Sequence, residues 1–326
     1  MGSSAKPSEG KPSPASTLRP APDSGATLVL GGSGFLGSHV VLAVGARAVS
    51  ASRVEGPVAP VGGGRFVKLD ARIEGSLAQV LAAVKPAAIV DCAAFSSVSE
   101  AETNPALARR MNVDVPRELG RWCAASGARL VHVSTDLVFG AHPPPEGGFR
   151  EDDPTAPTSE YGRSKAAGES ALLEVMPAAV VVRLPLLYGN SFGRGRGASD
   201  SLLASLGNGM RPMLFTDEWR TPLEVSNAAR ALVELLEKDV RGILHVAGPE
   251  RISRYDLGLT TIDASRLSRG RLREQVRAGT RADAKQSSRP ADVSLDSTRA
   301  REILATPLLG VRAGLDVAFR TTASVF

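Results

Sequence analysis

A tyrosine and a lysine stand four residues apart in the stretch SEYGRSKAAGE, at Tyr161 and Lys165. On a helix, positions i and i+4 lie on one face, so the phenol and the ammonium would share a small volume. A phenol has an ordinary pKa of about 10, and a nearby ammonium lowers that pKa toward the working range. Tyr161 could then pass a proton to or from a carbonyl. A half-buried tyrosine beside a solvated lysine has the same spacing, so other motifs must decide.

A glycine-rich loop stands between a short apolar run, ATLVL, and an apolar helical stretch. Its G-x-x-G-x-x-G pattern lets the chain turn tightly and lets the backbone approach a pyrophosphate. Amides at the N-terminus of the following helix would stabilise the phosphate charge. The pattern predicts a dinucleotide site that includes Gly31, Ser33, Gly34, Phe35, Leu36 and Gly37.

The end of the second predicted strand indicates which dinucleotide binds. Many NAD-binding domains carry an acidic residue about twenty positions after the loop, where it binds the ribose hydroxyls. Here the stretch ARAVSASR ends in Ser52 and Arg53 instead. A hydroxyl and a guanidinium suit a 2′-phosphate, so we predict NADPH, with NADH as the alternative. A surface arginine that does not contact the cofactor is an equally simple explanation of Arg53.

Short apolar runs alternate with helical stretches along most of the chain. The runs RFVKLD, AAIVDCAA, ARLVHVSTD and AAVVVRLPLLYG predict strands, and residues 105–126 predict one long helix. This alternation predicts a parallel sheet covered on both faces, and the continuous apolar character of VVVRL is typical of a buried strand. We therefore predict an α/β fold, a doubly wound parallel Rossmann sheet with a smaller, C-terminal substrate-binding domain.

The predicted domains divide the chain unevenly. Residues 1–25 are rich in Pro and Ser and hold little apolar area, which predicts a disordered tail. Residues 26–185 are predicted to form the NAD(P)-binding domain, and residues 218–248 to return to it. Residues 186–217 and 249–326 are predicted to form the substrate-binding domain.

Composition argues against several classes of protein. The chain has 326 residues, of which 43% are hydrophobic and 22% charged, and no apolar run is long enough to cross a bilayer. We therefore expect a globular protein without a membrane partner. Cys92 and Cys123 are isolated thiols, which predict neither a disulfide framework nor a metal site and favour a reducing, cytoplasmic setting.

The net charge of +5 includes a concentration of arginine between Arg266 and Arg289. Such a concentration could bind nucleic acid, but no aromatic residue lies between Tyr255 and Phe319 to stack on bases. We therefore expect a solvated face and no nucleic-acid partner.

Several motifs, taken in their order and spacing, resemble those of the extended short-chain dehydrogenase/reductases. The glycine loop, the STD of 134–136 and the Tyr-x-x-x-Lys of 161–165 carry the resemblance. The chain looks most like the dTDP-4-dehydrorhamnose reductase branch, through STDLVFG, EDDPTAPTSEYGRSKAAGE, LLYG, the Thr-Pro of EWRTP, and GILHVAG. The resemblance covers about residues 26–300.

The resemblance implies an NAD(P)H-dependent reductase of a nucleotide-linked keto sugar. Thr135 would bind the substrate oxygen, Tyr161 would donate the proton, and Lys165 would lower the pKa of the tyrosine and hold the nicotinamide ribose. Asn112 would support the lysine, although a role in helix packing is equally open. Asp70 would lie near the adenine. A homodimer is also implied.

Two departures from the family pattern concern the cofactor and the substrate. The family's Asn-Ala-Ala after the fourth strand is here Asp91-Cys92-Ala93-Ala94, which alters a polar contact beside the cofactor residues Ala93 and Ala94. A family tryptophan on the sugar side is replaced by Leu186. Substrate contacts are predicted at Leu186, Arg194, Arg196, Trp219 and Arg220. The histidines His132 and His245 are predicted to be buried core residues.

Other functions of the same fold stay open. A 4,6-dehydratase needs a glutamate where this chain has Leu137, so dehydration is not expected. A sugar-nucleotide epimerase is an alternative. A further alternative is a dinucleotide-binding regulatory subunit without catalysis, like that of methionine adenosyltransferase, which belongs to the same branch.

Overall fold

The computed structural model describes residues 25–58, 64–265, 267, 269–286 and 289–322. The predicted tail, apart from Gly25, and the predicted solvated position Arg266 lie outside the described residues.

One parallel sheet of seven strands organises the fold, in the order β11-β6-β5-β4-β1-β2-β3. Its strands are β1 (Thr27–Leu30), β2 (Ala48–Ser52), β3 (Arg65–Lys68), β4 (Ala88–Asp91), β5 (Arg129–Thr135), β6 (Val180–Leu184) and β11 (Gly242–His245). The central strands are buried on both sides, which explains their continuous apolar sequences. The predicted doubly wound α/β sheet is confirmed.

Helices cover both faces of this sheet. On one face lie α1 (Phe35–Val44), α8 (Val225–Glu234) and α11 (Thr298–Ile303), whose apolar residues share a core with Val29 and Val90. On the other lie α2 (Ser76–Val84), α5 (Val115–Ser126) and α6 (Glu160–Val175), which pack around Leu28 and Ile89. Because alternate strand residues face opposite sides, every strand of the sheet except β3 contributes to both cores, and β3 contributes Val67 to the second core.

The predicted helix over 105–126 is continuous but not regular. It consists of α4 (Pro105–Arg109), a π-helical turn (Arg110–Asp114) and α5. A shorter helix, α3 (Val98–Thr103), precedes it. A π turn widens the helix locally, and such turns are frequent at functional sites; Asn112 lies in this one.

The remaining elements are short and follow β6. They pair as three small sheets: β7 (Leu187–Tyr188) with β10 (Leu223–Glu224), β9 (Trp219–Arg220) with β12 (Ile252–Ser253), and β8 (Met213–Phe215) with β13 (Arg277–Gly279). The helices of this part are α7 (Gly197–Gly207), α9 (Arg254–Ala264), α10 (Arg269–Gln275) and α12 (Val311–Thr322). A separate core around Tyr188, Leu257 and Leu315 joins several of these elements.

The described part of the chain shows neither a membrane-spanning helix nor a cluster of metal-binding side chains. No helix there is long and apolar enough to span a bilayer. No group of three or more His, Cys, Asp or Glu side chains there could hold a metal ion.

Candidate active site

The candidate site lies at the carboxyl ends of β1, β4 and β5, where parallel sheets of this type bind ligands. The glycine loop follows β1, the segment from Asp91 to Ala94 follows β4, and Thr135 ends β5. These three segments are neighbours because their strands are paired in the order β5-β4-β1.

The glycine loop is built to bring backbone close to a ligand. Gly31 has a φ of +76°, and a Cβ there would collide with the backbone of Ala93. The loop then turns through a hydrogen bond from Gly34 N–H to Gly31 carbonyl O, 2.8 Å. Among the described residues no side chain caps α1, so its first amides are available to an anion. Ser33, Gly34 and Phe35 lie in this loop and at the first residue of α1.

Arg194 lies against this loop and not on a separate substrate surface. Its guanidinium donates to the carbonyl oxygen of Ser33 at 2.6 Å, and more weakly to that of Gly34 at 3.4 Å. A third contact, to Ser191 carbonyl O at 3.1 Å, fixes the side chain within its own loop. The side chain predicted to bind substrate therefore lies on the glycine loop. Sequence alone could not bring residues so far apart together.

The neighbouring loop residues hold Arg194 in this position. The ring of Phe192 stacks on His39 of α1, with centroids 4.8 Å apart, and His39 Nε2 lies 2.8 Å from the carbonyl oxygen of Asn190. Arg196, by contrast, has an exposed side chain. Of the two arginines predicted in this loop, only Arg194 contacts the glycine loop.

Asp70 follows β3 and lies near two arginines. Arg72 donates through Nε to Asp70 Oδ1 at 2.8 Å. This hydrogen bond, with a weaker contribution from the nearby charge of Arg53, lowers the pKa of Asp70 to about 2. Ser52 donates to the carbonyl oxygen of Val54 at 2.8 Å. Arg72 was not predicted from the sequence, although it stands only two residues after Asp70.

Tyr161 and Thr135 come together because α6 packs closely on the turn after β5. Gly162 follows Tyr161, and a Cβ on it would collide with the carbonyl oxygen of Leu137. A glycine therefore lets the first turn of α6 approach this turn. Ser159 caps the helix by accepting a hydrogen bond from Gly162 N–H at 3.1 Å. Tyr161 is thus within hydrogen-bonding reach of Thr135.

The pKa of Tyr161 moves in the direction opposite to the one expected from the sequence. Burial raises it to about 12, and the hydrogen bond with Thr135 opposes that rise only in part. Lys165 is not among the groups that shift it, because its ammonium is bound elsewhere. Lys165 Nζ donates to the carbonyl oxygen of Val133 at 2.7 Å and lies 3.1 Å from His132 Nε2. The lysine therefore does not lower the pKa of the tyrosine in this structure.

Asn112 forms hydrogen bonds with Ser164 and Phe95 and not with Lys165. Its amide donates to Ser164 Oγ at 2.9 Å, and its Oδ1 accepts the backbone N–H of Phe95 at 2.9 Å. Asn112 thus joins the segment after β4 to the helix that carries Lys165. Of the two roles left open by the sequence, its contacts are those of helix packing.

Asp136 and Arg220 form an ion pair next to Thr135. Arg220 Nε lies 3.6 Å from Asp136 Oδ2, and both side chains are buried. Thr135 Oγ1 also donates to Asp136 Oδ1 at 3.1 Å. Burial raises the pKa of Asp136 to about 6, although the charge of Arg220 opposes the shift. Arg220, predicted as a substrate contact, thereby reaches the strand end that carries Thr135.

Two further arginines lie near Arg220, around the carboxylate of Glu218. Buried Glu218 accepts hydrogen bonds from Arg289 at 2.9 and 3.0 Å, and it lies 3.2 Å from Arg220 and 4.0 Å from Arg254. Within the described residues, one terminal nitrogen of Arg254 is buried without a hydrogen-bond partner. Three guanidiniums thus lie around the carboxylates of Asp136 and Glu218. We call Arg220, Arg254 and Arg289 the arginine cluster; the sequence motif EWRTP indicated only its first member.

The remaining predicted substrate residues lie in two different environments. Leu186 is half-buried and packs against the core around Tyr188. The ring of Trp219 faces the guanidinium of Arg251 at 4.1 Å, so a cation already covers it. One face of the Trp219 ring is therefore covered by the guanidinium of Arg251.

Comparison with known proteins identifies relatives along most of the chain. The family model described as RmlD substrate binding domain matches residues 25–323. A Mycobacterium tuberculosis protein named dTDP-4-dehydrorhamnose reductase is 41% identical over 173 residues, covering 51% of this chain and 55% of that protein. The chain thus spans about half the length of that relative.

Two further proteins are similar over greater lengths. A Streptomyces antibioticus protein named probable dTDP-4,6-dihydroxy-2-methyloxan-3-one 4-ketoreductase is 32% identical over 301 residues, covering 90% of this chain and 94% of that protein. The crystal structure of a hypothetical dTDP-4-dehydrorhamnose reductase from Sulfolobus tokodaii has a TM-score of 0.73 and 29% identity, covering 89% of this chain and 98% of that one.

Proposed function

This chain belongs to the RmlD substrate binding domain family, and we propose that it is an NADPH-dependent reductase of a nucleotide-linked keto sugar. The observation that carries the proposal is the meeting of Thr135 and Tyr161 at the sheet edge that also holds the glycine loop. A proton donor beside a dinucleotide cradle is what carbonyl reduction requires.

The residues present fit a dinucleotide. The loop at Gly31, the open N-terminus of α1 and the guanidinium of Arg194 suit a diphosphate, which hydrogen-bonds to amides and pairs with arginine. The segment holding Ala93 and Ala94 would line the space beside the loop. When bound, the reduced nicotinamide supplies the hydride that converts the keto carbon to an alkoxide.

NADPH is proposed over NADH because of the charges around Asp70. Arg72 already neutralises that carboxylate, so Arg53 at the end of β2 remains to attract a 2′-phosphate. Arg53→Ala is expected to weaken NADPH binding about tenfold and to leave NADH binding unchanged, measured by fluorescence titration. An equal loss for both cofactors would contradict this assignment.

Tyr161 is proposed to donate the proton. Because its pKa is about 12, the phenol is protonated throughout the neutral range and can be a donor but not a base there. Thr135, which hydrogen-bonds with Tyr161, would orient the substrate oxygen beside it. The two residues thus suit reduction of a carbonyl better than removal of a proton from a hydroxyl at neutral pH.

The arginine cluster is proposed to receive the diphosphate of the nucleotide sugar. Three guanidiniums against two carboxylates leave an excess of positive charge beside Thr135. Arg254 has a buried nitrogen without a hydrogen-bond partner among the described residues, so a phosphate oxygen could satisfy it. Half-buried Leu186 would contact the sugar, and exposed Arg196 could contact the nucleotide.

A homodimer is proposed from the resemblance. A cytoplasmic location is proposed from the cysteines. Cys92 and Cys123 are both free, which suits a reducing compartment. The molar mass in solution, measured by light scattering, tests the dimer.

The first experiment mixes purified protein, NADPH and a dTDP-linked 4-keto-6-deoxy sugar, and follows the loss of the reduced cofactor. Tyr161→Phe is expected to lower turnover by about 10² to 10⁴ while leaving NADPH affinity unchanged. Tight NADPH binding with no oxidation by any keto sugar would contradict the proposal and favour a regulatory subunit. Conversion of the sugar without net use of NADPH would favour an epimerase.

A further inference from the structure

Three titratable side chains form a buried chain of contacts from β4 through β5 to α6. Asp91 Oδ2 lies 2.8 Å from His132 Nδ1, and His132 Nε2 lies 3.1 Å from Lys165 Nζ. Asp91 and His132 are fully buried, and Lys165 is 1% exposed. His132, expected to be an ordinary core residue, thus connects the residue that departs from the family pattern to the lysine of the candidate site.

The contacts fix the tautomer of the imidazole. An ammonium has donors only, so His132 Nε2 must accept the hydrogen bond from Lys165. The ring is therefore neutral and carries its proton on Nδ1, where it donates to Asp91 Oδ2. The other carboxylate oxygen, Oδ1, accepts the backbone N–H of Ala93 at 3.1 Å. Each polar side-chain atom of Asp91, His132 and Lys165 then has a hydrogen-bond partner of the right kind.

These contacts also limit what Lys165 can bind. Of the three N–H groups of an ammonium, one is directed to His132 and one to the carbonyl oxygen of Val133 at 2.7 Å. One N–H group remains for another partner. A lysine without the histidine would have two such groups and a freer side chain.

The charges that face Lys165 come from three elements. β4 contributes Asp91, with Cys92 directly after it, β5 contributes His132, and α6 contributes Glu169. Burial raises the pKa of the Cys92 thiol, so that group is neutral. The carboxylate of Glu169 is already paired with Arg183 at 2.8 Å. Asp91 is therefore the carboxylate left to balance the ammonium.

We propose that Asp91 and His132 are positioning residues for Lys165, holding its ammonium so that a single N–H group is offered to the cofactor ribose. This inference rests on the proposed dinucleotide function. An asparagine at position 91, as in the resembling family, could still accept from the imidazole but would supply no charge. The role is thus specific to the aspartate.

This positioning makes the alkaline limit of NADPH oxidation depend on the charge of Asp91. Burial lowers the pKa of Lys165, and the charge of Asp91 is the largest influence that opposes this. Removing that charge lets the lysine lose its proton at a lower pH. In Asp91→Asn, the alkaline limit of NADPH oxidation is therefore expected to move down by about one pH unit.

The test measures the pH dependence of NADPH affinity by fluorescence titration, of turnover, and of stability to denaturant. In Asp91→Asn, the pH above which NADPH affinity falls and the pH above which turnover falls should both be lower than in wild type. His132→Gln leaves the charge of Asp91 in place but holds the ammonium less firmly, so NADPH affinity should fall while the pH limits stay near those of wild type. His245→Gln is the control, because His245 is equally buried but contacts Phe149 and Arg183.

The outcomes separate this inference from the proposed function. Lower stability of Asp91→Asn with the wild-type pH limits, or wild-type NADPH affinity in His132→Gln, would overturn the positioning role. A shifted limit of NADPH affinity in a protein that reduces no keto sugar would support the positioning role while contradicting the proposed reductase. If Asp91→Asn does not fold, Asp91→Ser removes the same charge and gives the same comparison.

Discussion

Arg220 Nε lies 3.6 Å from Asp136 Oδ2, and this buried ion pair links β9 to the end of β5 beside Thr135. The arginine belongs to the part of the chain that follows β6, whereas the aspartate belongs to the STD motif. The pair therefore connects the proposed substrate side of the site to the residue proposed to bind the reacting oxygen.

Breaking this pair should destabilise the protein, because each carboxylate beside Arg220 would lose a buried counter-charge. We expect Arg220→Gln to lower the free energy of unfolding by about 3 kcal/mol, measured by chemical denaturation. Arg251→Gln is the control, since Arg251 is half-exposed where it pairs with Asp292, and a change below about 1 kcal/mol is expected there. Equal small losses in both variants would show that the buried pair contributes little.

Asp136 should make stability depend on pH between about 4 and 6. Its pKa is about 6 in the folded protein and about 3.9 in an unfolded chain, so the folded state binds the proton more tightly. This contribution to stability is complete below the unfolded pKa and is lost as pH rises through about 6. Relative to wild type, Asp136→Asn is expected to gain about 3 kcal/mol across that interval and to show no further gain above it. Denaturation curves at several pH values measure this difference, and a difference independent of pH would contradict it.

Arg194 should matter for the cofactor more than for the sugar. Arg194→Ala removes a guanidinium that lies on the glycine loop, and we expect NADPH affinity to fall by about ten- to a hundredfold. The matched control is Arg196→Ala, two positions along the same loop, with an exposed side chain and an expected loss below about threefold. Fluorescence titration gives both values. Unchanged NADPH affinity with weaker sugar-nucleotide binding would restore the assignment made from the sequence.

Gly162 should be sensitive to the addition of one methyl group. Gly162→Ala would force α6 away from the carbonyl oxygen of Leu137, at a cost of about 1 to 3 kcal/mol in unfolding free energy. Turnover should fall as well, because Tyr161 would move from Thr135. Gly207→Ala tests the same change on α7, where nothing lies near the added Cβ, and no loss of stability is expected. Wild-type stability and turnover in Gly162→Ala would contradict the close-packing argument.

The sequence by itself determined the sheet and the glycine loop. Alternating apolar strands and helices predicted a doubly wound fold because such patterns are local and reflect which faces are buried. Gly31 was predicted for the same reason, since a tight turn directly after a strand has few other solutions. Thr135 and Tyr161 were named as partners through the resemblance of their two motifs to those of a known family.

Only the tertiary structure decided the electrostatics. The pKa of Tyr161 is raised by burial, and Lys165 cannot oppose this because His132 and Val133 hold its ammonium. Arg194 lies on the glycine loop and Arg220 beside Asp136 because separate parts of the chain fold against each other. Hydrophobic periodicity is set by neighbours in sequence, whereas desolvation and charge pairing depend on groups that are distant in the chain and adjacent only in space.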